Sequence, residues 1–196
     1  MGQYLFGYGS LIDAESRAKT GDTGRAYPVR VSGLQRAWHV VAPRSGYTVV
    51  GVTSRREASC NGVLIEIEPH ELPHFDAREL FYHRVIVPEQ AVTFLSGERL
   101  SCPTIWTYMT SCPGEPSRQY PLVQSYIDVI LTGCLAIGTD FATEFIETTL
   151  GWGPAWLNDR LHPRYQRAMA TIPRAAEIDQ LLQTLVSHAF SDRSDS

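Results

Sequence analysis

The sequence predicts an α+β fold, built on a closed or strongly curved antiparallel sheet that is followed by helices. Segments rich in β-branched and aromatic residues fill the first half of the chain, whereas apolar residues at helical spacing dominate the second half. A run of strands followed by a run of helices is typical of this fold class. The chain has 196 residues, of which 43% are hydrophobic, so one well-filled core and a single domain over residues 1–190 are expected.

Five strands are predicted in the first half, because glycine or proline separates most of the strand-like segments. They are expected at residues 4–8, 26–31, 37–42, 47–53 and 63–67. Residues 69–80 contain helix formers, with Pro69 at an early position that a helix tolerates, and are predicted to form a helix. Strand composition returns at residues 82–87 and 104–109.

Apolar residues recur at helical spacing in three segments of the second half. The first two segments contain Leu122, Tyr126, Ile127 and Ile130, and then Phe141, Phe145, Ile146 and Thr149. The third is an amphipathic set formed by Ile178, Leu181, Leu182, Leu185 and Val186. We therefore predict a helix at each place, and a frayed polar tail over residues 191–196.

Charge distribution and cysteine spacing exclude several classes of partner. The 17 basic and 21 acidic residues are scattered and form no basic stripe that could hold a nucleic acid. The N-terminus lacks signal-peptide features and no apolar run is long enough to span a membrane, so we expect a soluble cytoplasmic protein, monomeric by default. Cys60, Cys102, Cys112 and Cys134 contain no CxxC pair, which indicates reduced thiols in the core rather than a zinc or redox site.

The first candidate site is the loop of residues 6–11, which reads FGYGSL and directly follows the N-terminal strand. Two glycines flank Tyr8, so a ligand can approach the backbone closely, and exposed N–H groups in such a loop can bind a carboxylate or an oxyanion. The same residues also fit a plain tight turn. The spacing of a dinucleotide-binding or phosphate-binding loop is missing, so nucleotide binding is not predicted.

The second candidate is Glu79, at the predicted passage from helix to strand. The apolar and aromatic side chains of residues 80–82 could partly desolvate its carboxylate, which would raise its pKa toward the range useful for a general base. The alternative is a solvated surface salt bridge with Arg78 or Arg84.

Residues 70–74 read HELPH, which matches the HExxH motif of zinc proteases. That motif requires both histidines on one face of a continuous helix, together with a third ligand. Because Pro73 would remove a helical hydrogen bond unless it lies in the first turn, we interpret the segment as a helix start and predict no metal site. A nucleophilic hydrolase is not predicted either, since no Gly-x-Ser-x-Gly elbow is present.

Five short motifs, taken in order, make the chain resemble the γ-glutamylcyclotransferase superfamily. The resemblance covers residue 4 to about residue 133, and the C-terminal extension, residues 138–190, lies outside it. The matching motifs are Tyr8-Gly9-Ser10-Leu11, Val31-x-Gly33-x-x-Arg36-x-Trp38, Asn61-Gly62-Val63-Leu64-Ile65, Asp76-x-x-Glu79-x-x-Tyr82-x-Arg84 and Pro116-Ser117-Arg118-Gln119-Tyr120.

The resemblance implies a small mixed or antiparallel β-barrel flanked by helices, with a cavity at one mouth and no metal or organic cofactor. It also implies release of 5-oxoproline from a γ-glutamyl amide, with Glu79 moving the proton. By the same resemblance, Tyr82 and Arg84 anchor a strand. The residues that it assigns to the γ-glutamyl group are Tyr8, Gly9, Ser10 and Leu11, with Tyr120 near the substrate.

Departures from the family pattern leave the substrate open. Residues 44–47 only vaguely match the Arg-Gly stretch of the glutathione-degrading branch, so glutathione is not the favoured substrate and the general, AIG2-like group is the closer likeness. The aromatic segment 152–167 either caps the cavity or packs against the barrel. Two further readings remain: a binding module that has lost the chemistry, and an enzyme for a specialised γ-glutamylamine.

Overall fold

A computed structural model describes residues 2–79, 82–101, 103–110, 112–153 and 155–195. Seven strands form the main sheet, in the order β4-β6-β1-β3-β2-β5, with β8 beside β2. Their bounds are β1 (Gln3–Gly7), β2 (Ala26–Ala42), β3 (Tyr47–Ile67), β4 (His83–Ile86), β5 (Val92–Phe94), β6 (Thr104–Met109) and β8 (Thr149–Leu150). The strands predicted at 82–87 and 104–109 are confirmed as β4 and β6.

Strands β2 and β3 each join two predicted strands into one long antiparallel pair. The register shifts between Ser32 and Leu34 and again between Trp38 and Val40. Gly33 lies at the first shift with φ of +85°, a conformation that glycine adopts without steric cost. Bulges bend a strand and increase its twist without ending it. The pair therefore continues through glycine-containing segments that the sequence marked as gaps.

The sheet, expected to be mixed or antiparallel, is mixed. Strand β1 pairs antiparallel with β3 but parallel with β6, and β2 pairs parallel with β8. The order ends at β4 and β5, and these two strands are not paired with each other within the described ranges. The α+β class is confirmed, whereas closure of the sheet into a barrel is not.

Six helices occur in the described part of the chain, including all three predicted in the second half. The helix predicted over 69–80 begins later, at Leu72, because Pro73 occupies the first turn, and it ends before Glu79. The helices are α1 (Ala14–Ala18), α2 (Leu72–Arg78), α3 (Gln124–Ile137), α4 (Thr139–Thr148), α5 (Ala175–Leu185) and α6 (Ser187–Ser191). None of these helices combines the length and apolar character needed to cross a membrane.

A second, three-stranded parallel sheet corrects the expectation of a frayed tail. It contains β7 (Leu122–Val123), β9 (Trp156–Asn158) and β10 (Ser194–Asp195), with β9 in the middle. The Asn158 side-chain amide also donates to the Asp195 carboxylate at 3.0 Å. Backbone pairing and this side-chain bond together hold the chain end against β9, although its composition is polar.

One contiguous apolar core runs from Tyr4 to Phe190 and joins the main sheet to α3, α4 and the C-terminal extension. Gly133 brings α3 close to the start of the chain, since a Cβ there would lie 2.6 Å from the backbone nitrogen of Asp13. Helix α3 therefore packs directly against the backbone that follows the loop of residues 6–11.

The predicted thiol environment is only partly correct. Cys60 and Cys134 are free and buried, and burial raises the pKa of the Cys60 thiol to about 11. Cys112 is also free but exposed, so it does not belong to the core. Cys102 lies outside the described residues.

Candidate active site

A cavity of about 280 Å³ brings the two predicted candidate segments together. One wall is the loop of residues 6–11, which leaves the end of β1, and Glu79 lies on another wall at the end of α2. The turn between β2 and β3 and residues 165–167 of the C-terminal extension also line the cavity.

Close packing rather than positive φ explains the two loop glycines. A Cβ on Gly7 would lie 2.8 Å from the Cβ of Leu11, and a Cβ on Gly9 would lie 2.8 Å from a methyl group of Val50. Real Cβ atoms do not tolerate such distances. Residues Ser10–Ile12 then form a single 3-10 turn, closed by a bond from the Ile12 N–H to the Gly9 carbonyl at 2.9 Å.

Arg36 is fully buried and contacts the backbone of this loop. Its guanidinium donates to the backbone carbonyls of Tyr8 at 3.4 Å and of Asn61 at 2.6 Å. It also donates to the Phe145 carbonyl at 3.0 Å and lies over the Phe145 ring. Burial lowers the pKa of Arg36. The buried cation thus ties the loop to β3 and α4.

Glu79 is largely buried, with 16% of its side chain exposed. Its Oε1 lies 3.1 Å from Nε of Arg78. Burial raises the pKa of the Glu79 carboxyl above its ordinary value, although the positive charges of Arg78 and Arg167 oppose the rise. The ion pair of Glu79 with Arg78 is therefore not a solvated surface salt bridge. Arg84 does not pair with Glu79 but with Asp76, at 2.9 Å.

Arg78 connects the carboxylate to the loop. While Nε faces Glu79, Nη2 donates to the Ser10 hydroxyl at 2.9 Å and Nη1 donates to the Thr20 hydroxyl. The Ser10 hydroxyl also accepts from the phenol of Tyr165 at 3.0 Å. Glu79 and Ser10 are therefore held in a fixed relation by one side chain.

Six tyrosines contribute to the cavity wall: Tyr8, Tyr47, Tyr82, Tyr108, Tyr126 and Tyr165. Several of their hydroxyls are already engaged, since Tyr8 donates to the Tyr108 carbonyl at 2.6 Å and Tyr82 donates to the Val50 carbonyl at 2.7 Å. Burial raises the pKa of both phenols well above the ordinary value. They remain neutral near pH 7 and cannot act as the base there.

Tyr120 is not among the residues that line the cavity. Its carbonyl accepts from the Thr48 hydroxyl at 2.7 Å, and its phenol oxygen lies 3.3 Å from the Gln119 amide. Tyr126 and Tyr165 line the cavity instead, with ring centroids 4.8 Å apart. The sequence predicts Tyr126 on a helix without a role at the site, and no sequence motif indicates that Tyr165 contacts Ser10.

The aromatic segment 152–167 packs and also caps the cavity. Trp152 lies with its ring centroid 5.0 Å from that of Trp38 and 5.4 Å from that of Trp156, within the aromatic core. Residues 165–167 line the cavity. The two roles that the sequence left open are therefore divided between the two ends of the segment.

Asp159 fixes the end of the segment that reaches the cavity. Its buried carboxylate accepts from the Ser125 N–H and from the Arg164 N–H, both at 2.7 Å. The Ser125 hydroxyl in turn accepts from the Tyr165 N–H at 3.2 Å. The first turn of α3 thus holds the backbone that presents residues 165–167.

The HExxH letters do not form a zinc site of the protease type. Helix α2 begins at Leu72, so His70 precedes it and the motif does not lie on one continuous helix. Both histidines are exposed and turn toward Glu71, at 3.4 Å from His70 and 3.0 Å from His74. No group of three or more metal-ligating side chains occurs among the residues that the structure describes.

No protein-family model matches the chain, and no curated protein matches its sequence. Solved structures do match. A γ-glutamyl cyclotransferase superimposes with a TM-score of 0.61 at 12% identity, over 92% of this chain and 99% of that one. An uncharacterised protein from Homo sapiens superimposes with a TM-score of 0.58 at 14% identity, over 74% of this chain and 86% of that one. YkqA from Bacillus subtilis superimposes with a TM-score of 0.55 at 18% identity, over 72% of this chain and 51% of the YkqA chain.

The molecule is thus an α+β protein with a tyrosine-lined cavity between the loop of residues 6–11 and the largely buried carboxylate of Glu79. Its fold is shared with the solved structure named γ-glutamyl cyclotransferase, so the resemblance seen in the sequence is confirmed at the level of the fold.

Proposed function

We propose that this protein is a γ-glutamylcyclotransferase-type enzyme, which converts a γ-glutamyl amide into 5-oxoproline and a free amine. The observation that carries the proposal is the position of Glu79, a buried carboxylate on the wall of the same cavity as the loop Tyr8 to Leu11. The fold shared with a protein named γ-glutamyl cyclotransferase supports the same reaction class.

The reaction is an intramolecular acyl transfer. The α-amine nitrogen of the γ-glutamyl group attacks the side-chain carbonyl carbon, a five-membered lactam forms, and the original C–N bond breaks. Two obstacles oppose it in water, because the amine is protonated and the chain is extended. A nearby base removes the first obstacle, and a cavity that holds the bent conformer removes the second.

Glu79 serves both proton transfers in this proposal. Its carboxylate takes one proton from the substrate ammonium, and the resulting carboxylic acid gives that proton to the departing nitrogen. The second proton that the attacking nitrogen loses when the lactam forms ends on the released amine. A pKa raised by burial suits a base that must also act as an acid near neutral pH. The contact with Arg78 keeps the carboxylate aimed and opposes its protonation before substrate binds.

The loop provides hydrogen-bond donors for the substrate oxygens. The first N–H groups of a short turn have no acceptor within that turn, and here the turn begins at Ser10. Such donors stabilise a carboxylate in the ground state or negative charge on the carbonyl oxygen during attack. Arg36 donates to the Tyr8 carbonyl at 3.4 Å and so restrains the backbone that carries these groups.

A panel of substrates tests the proposal. Release of 5-oxoproline is measured from γ-glutamyl dipeptides, glutathione and γ-glutamylamines, with wild-type protein and with Glu79→Gln. Release by the wild type alone supports the reaction and its acid/base residue. Binding of γ-glutamyl compounds without turnover would instead favour the binding module, and turnover of an amine conjugate alone would favour the specialised enzyme.

A further inference from the structure

A cluster of charged side chains lies between α3 and α5, and none of its members lines the cavity. Arg160 binds two carboxylates at once: Nε and Nη2 donate to Asp128 on α3 at 2.8 and 2.7 Å, and Nη1 and Nη2 donate to Asp179 on α5, both at 2.8 Å. Gln124 also donates to Asp128, at 2.9 Å. We call Arg160, Asp128 and Asp179 the arginine clamp, because one guanidinium fixes the C-terminal extension against two helices.

The buried half of the clamp is costly to form, since the side chain of Asp128 is only 1% exposed. Burial raises the pKa of its carboxyl, and the hydrogen bond and positive charge of Arg160 oppose that rise. Removing two charges from water offsets much of their attraction, so a buried ion pair is weak evidence for stability. The pair does supply direction, because the planar guanidinium binds each carboxylate at two points. The geometry that the clamp imposes is therefore the feature to explain.

The residue before Arg160 is bound to the same helix. Ser125 and Asp128 are three positions apart on α3, so their side chains lie on one face of the helix. Ser125 donates to the Asp159 carboxylate with its N–H at 2.7 Å and with its hydroxyl at 2.6 Å. Asp128 binds Arg160. Two consecutive residues of the extension are thus fixed to one turn of α3.

The loop that follows connects the clamp to the cavity. The Arg164 N–H donates back to the Asp159 carboxylate at 2.7 Å. The Tyr165 N–H donates to the Ser125 hydroxyl at 3.2 Å, and the Tyr165 phenol donates to the Ser10 hydroxyl at 3.0 Å. Tyr165 lies five positions after the arginine of the clamp. A displacement at the clamp must therefore be absorbed within this short loop or reach Tyr165.

We propose that Arg160 is a positioning residue, which holds the loop of residues 159–165 on α3 and α5 so that the Tyr165 hydroxyl meets Ser10. It acts through Tyr165 and does not itself line the cavity. The Ser10 hydroxyl accepts from Arg78 as well, so a loosened loop would remove one of its two donors. The inference rests on the proposed function where it concerns turnover, but not where it concerns the position of the loop.

Amide hydrogen exchange of two clamp variants tests the position of the loop. Arg160→Lys keeps the positive charge and loses the two-point contacts, so residues 161–168 should exchange faster than in the wild type. Asp179→Asn changes the more exposed half of the clamp and leaves the pair with Asp128 in place, so it should act in the same direction at a smaller cost in folding.

Arg174→Lys is the matched control. Arg174 also joins α3 to α5, because it donates to the Leu135 carbonyl and, at two points, to Glu177. It lies outside the loop of residues 159–165 and does not line the cavity. Its replacement should therefore leave both kcat/KM and the exchange of residues 161–168 unchanged.

A double-mutant cycle with Tyr165→Phe shows whether Arg160 acts through Tyr165. The reaction measured is 5-oxoproline release from γ-glutamylalanine, a γ-glutamyl dipeptide. Arg160→Lys should lower kcat/KM about 2- to 12-fold, the range for loss of one hydrogen bond of ordinary strength. The double variant should lose no more than Tyr165→Phe alone, because the same bond is removed only once. A purely structural role predicts losses that multiply.

Exchange and turnover are measured separately, so failure of this inference differs from failure of the proposed function. Faster exchange of residues 161–168 in both clamp variants, with losses of kcat/KM that do not multiply, supports the inference. Exchange there that is no faster than in the Arg174→Lys protein overturns it, and so do losses that multiply. If the wild type releases no 5-oxoproline, the proposed function fails, and the exchange result alone decides whether Arg160 positions Tyr165.

Discussion

Nε of Arg78 lies 3.1 Å from Oε1 of Glu79, and both side chains are largely buried beside the cavity. The pair is therefore less screened by water than an exposed ion pair. Burial still raises the pKa of Glu79, so Arg78 offsets only part of the desolvation. Burial and the neighbouring arginines thus act on the pKa of the Glu79 carboxyl in opposite directions, which suits the acid/base role proposed for it.

Removing the charge of Arg78 should move the acid limb of the activity profile to higher pH. Arg78→Gln removes the effect that lowers the pKa of Glu79, so the carboxyl stays protonated to higher pH and the base form is lost earlier on acidification. The pH dependence of kcat/KM measures this shift. Arg84→Gln is the control, because Arg84 pairs with Asp76. An acid limb that is unmoved or moves to lower pH contradicts the account.

The Glu79→Gln protein should be no less stable than the wild type at neutral pH. Its stability relative to the wild type should increase as pH rises. A raised folded-state pKa means that the folded protein binds protons more tightly than the unfolded chain. Wild-type stability therefore falls as pH rises from the ordinary glutamate pKa through the raised one, and the deficit persists above it.

Urea unfolding of both proteins across this pH window checks the sign. Glu57→Gln is the control, since that side chain is 90% exposed and its pairing with Arg56 is loose, at 3.9 Å. A Glu79→Gln protein that loses stability relative to the wild type as pH rises would show that the Glu79 carboxylate stabilises the fold as an ion-pair partner, rather than being destabilised by burial.

Arg36→Met should destabilise the protein by at least about 2 kcal/mol, because it leaves several buried carbonyls without a donor. Those of Tyr8, Asn61 and Phe145 are among them. Arg30→Gln lies on the same strand and removes a more exposed pair with Glu144, so it should cost about 1 kcal/mol or less. Denaturant midpoints at unchanged m-value measure both, and equal effects would remove the special role of Arg36.

Tyr165→Phe should lower kcat/KM about 2- to 12-fold while keeping the aromatic packing, since it removes one hydrogen bond of ordinary strength. The lost bond is the donation to the Ser10 hydroxyl at 3.0 Å. Tyr120→Phe is the matched variant outside the cavity and should leave kcat/KM unchanged. A reversed result, with Tyr120 important and Tyr165 not, would restore the role that the family resemblance gives to Tyr120.

Local patterns in the sequence predicted the elements that build the site. Apolar periodicity located the second-half helices. Neighbouring residues marked the Tyr8 loop and Glu79 as candidates, with a plain turn and a surface salt bridge as the alternatives, and the family resemblance gave them their expected roles. The structure places both in the lining of one cavity. Local signals could mark these positions because the loop follows the end of a strand and Glu79 follows the end of a helix, but they left the role of each position open.

Long-range contacts are what the sequence could not supply. Tyr165 reaches Ser10 across 155 positions, and Arg36 gathers carbonyls from the loop, β3 and α4. Bulges that keep β2 and β3 continuous look like ordinary gaps in the sequence. Each of these features depends on which segments the folded chain brings together, and one-dimensional spacing carries no such information.

The most direct measurement is 5-oxoproline release from γ-glutamylalanine by wild-type protein and by Glu79→Gln protein, with folding of both verified by their unfolding curves. We predict release by the wild type and a rate lower by about 100- to 10,000-fold in the variant, which is the usual size of a general acid–base contribution. A variant as fast as the wild type would remove Glu79 from the reaction. A folded wild type that binds γ-glutamylalanine and releases no 5-oxoproline would contradict the proposed chemistry itself.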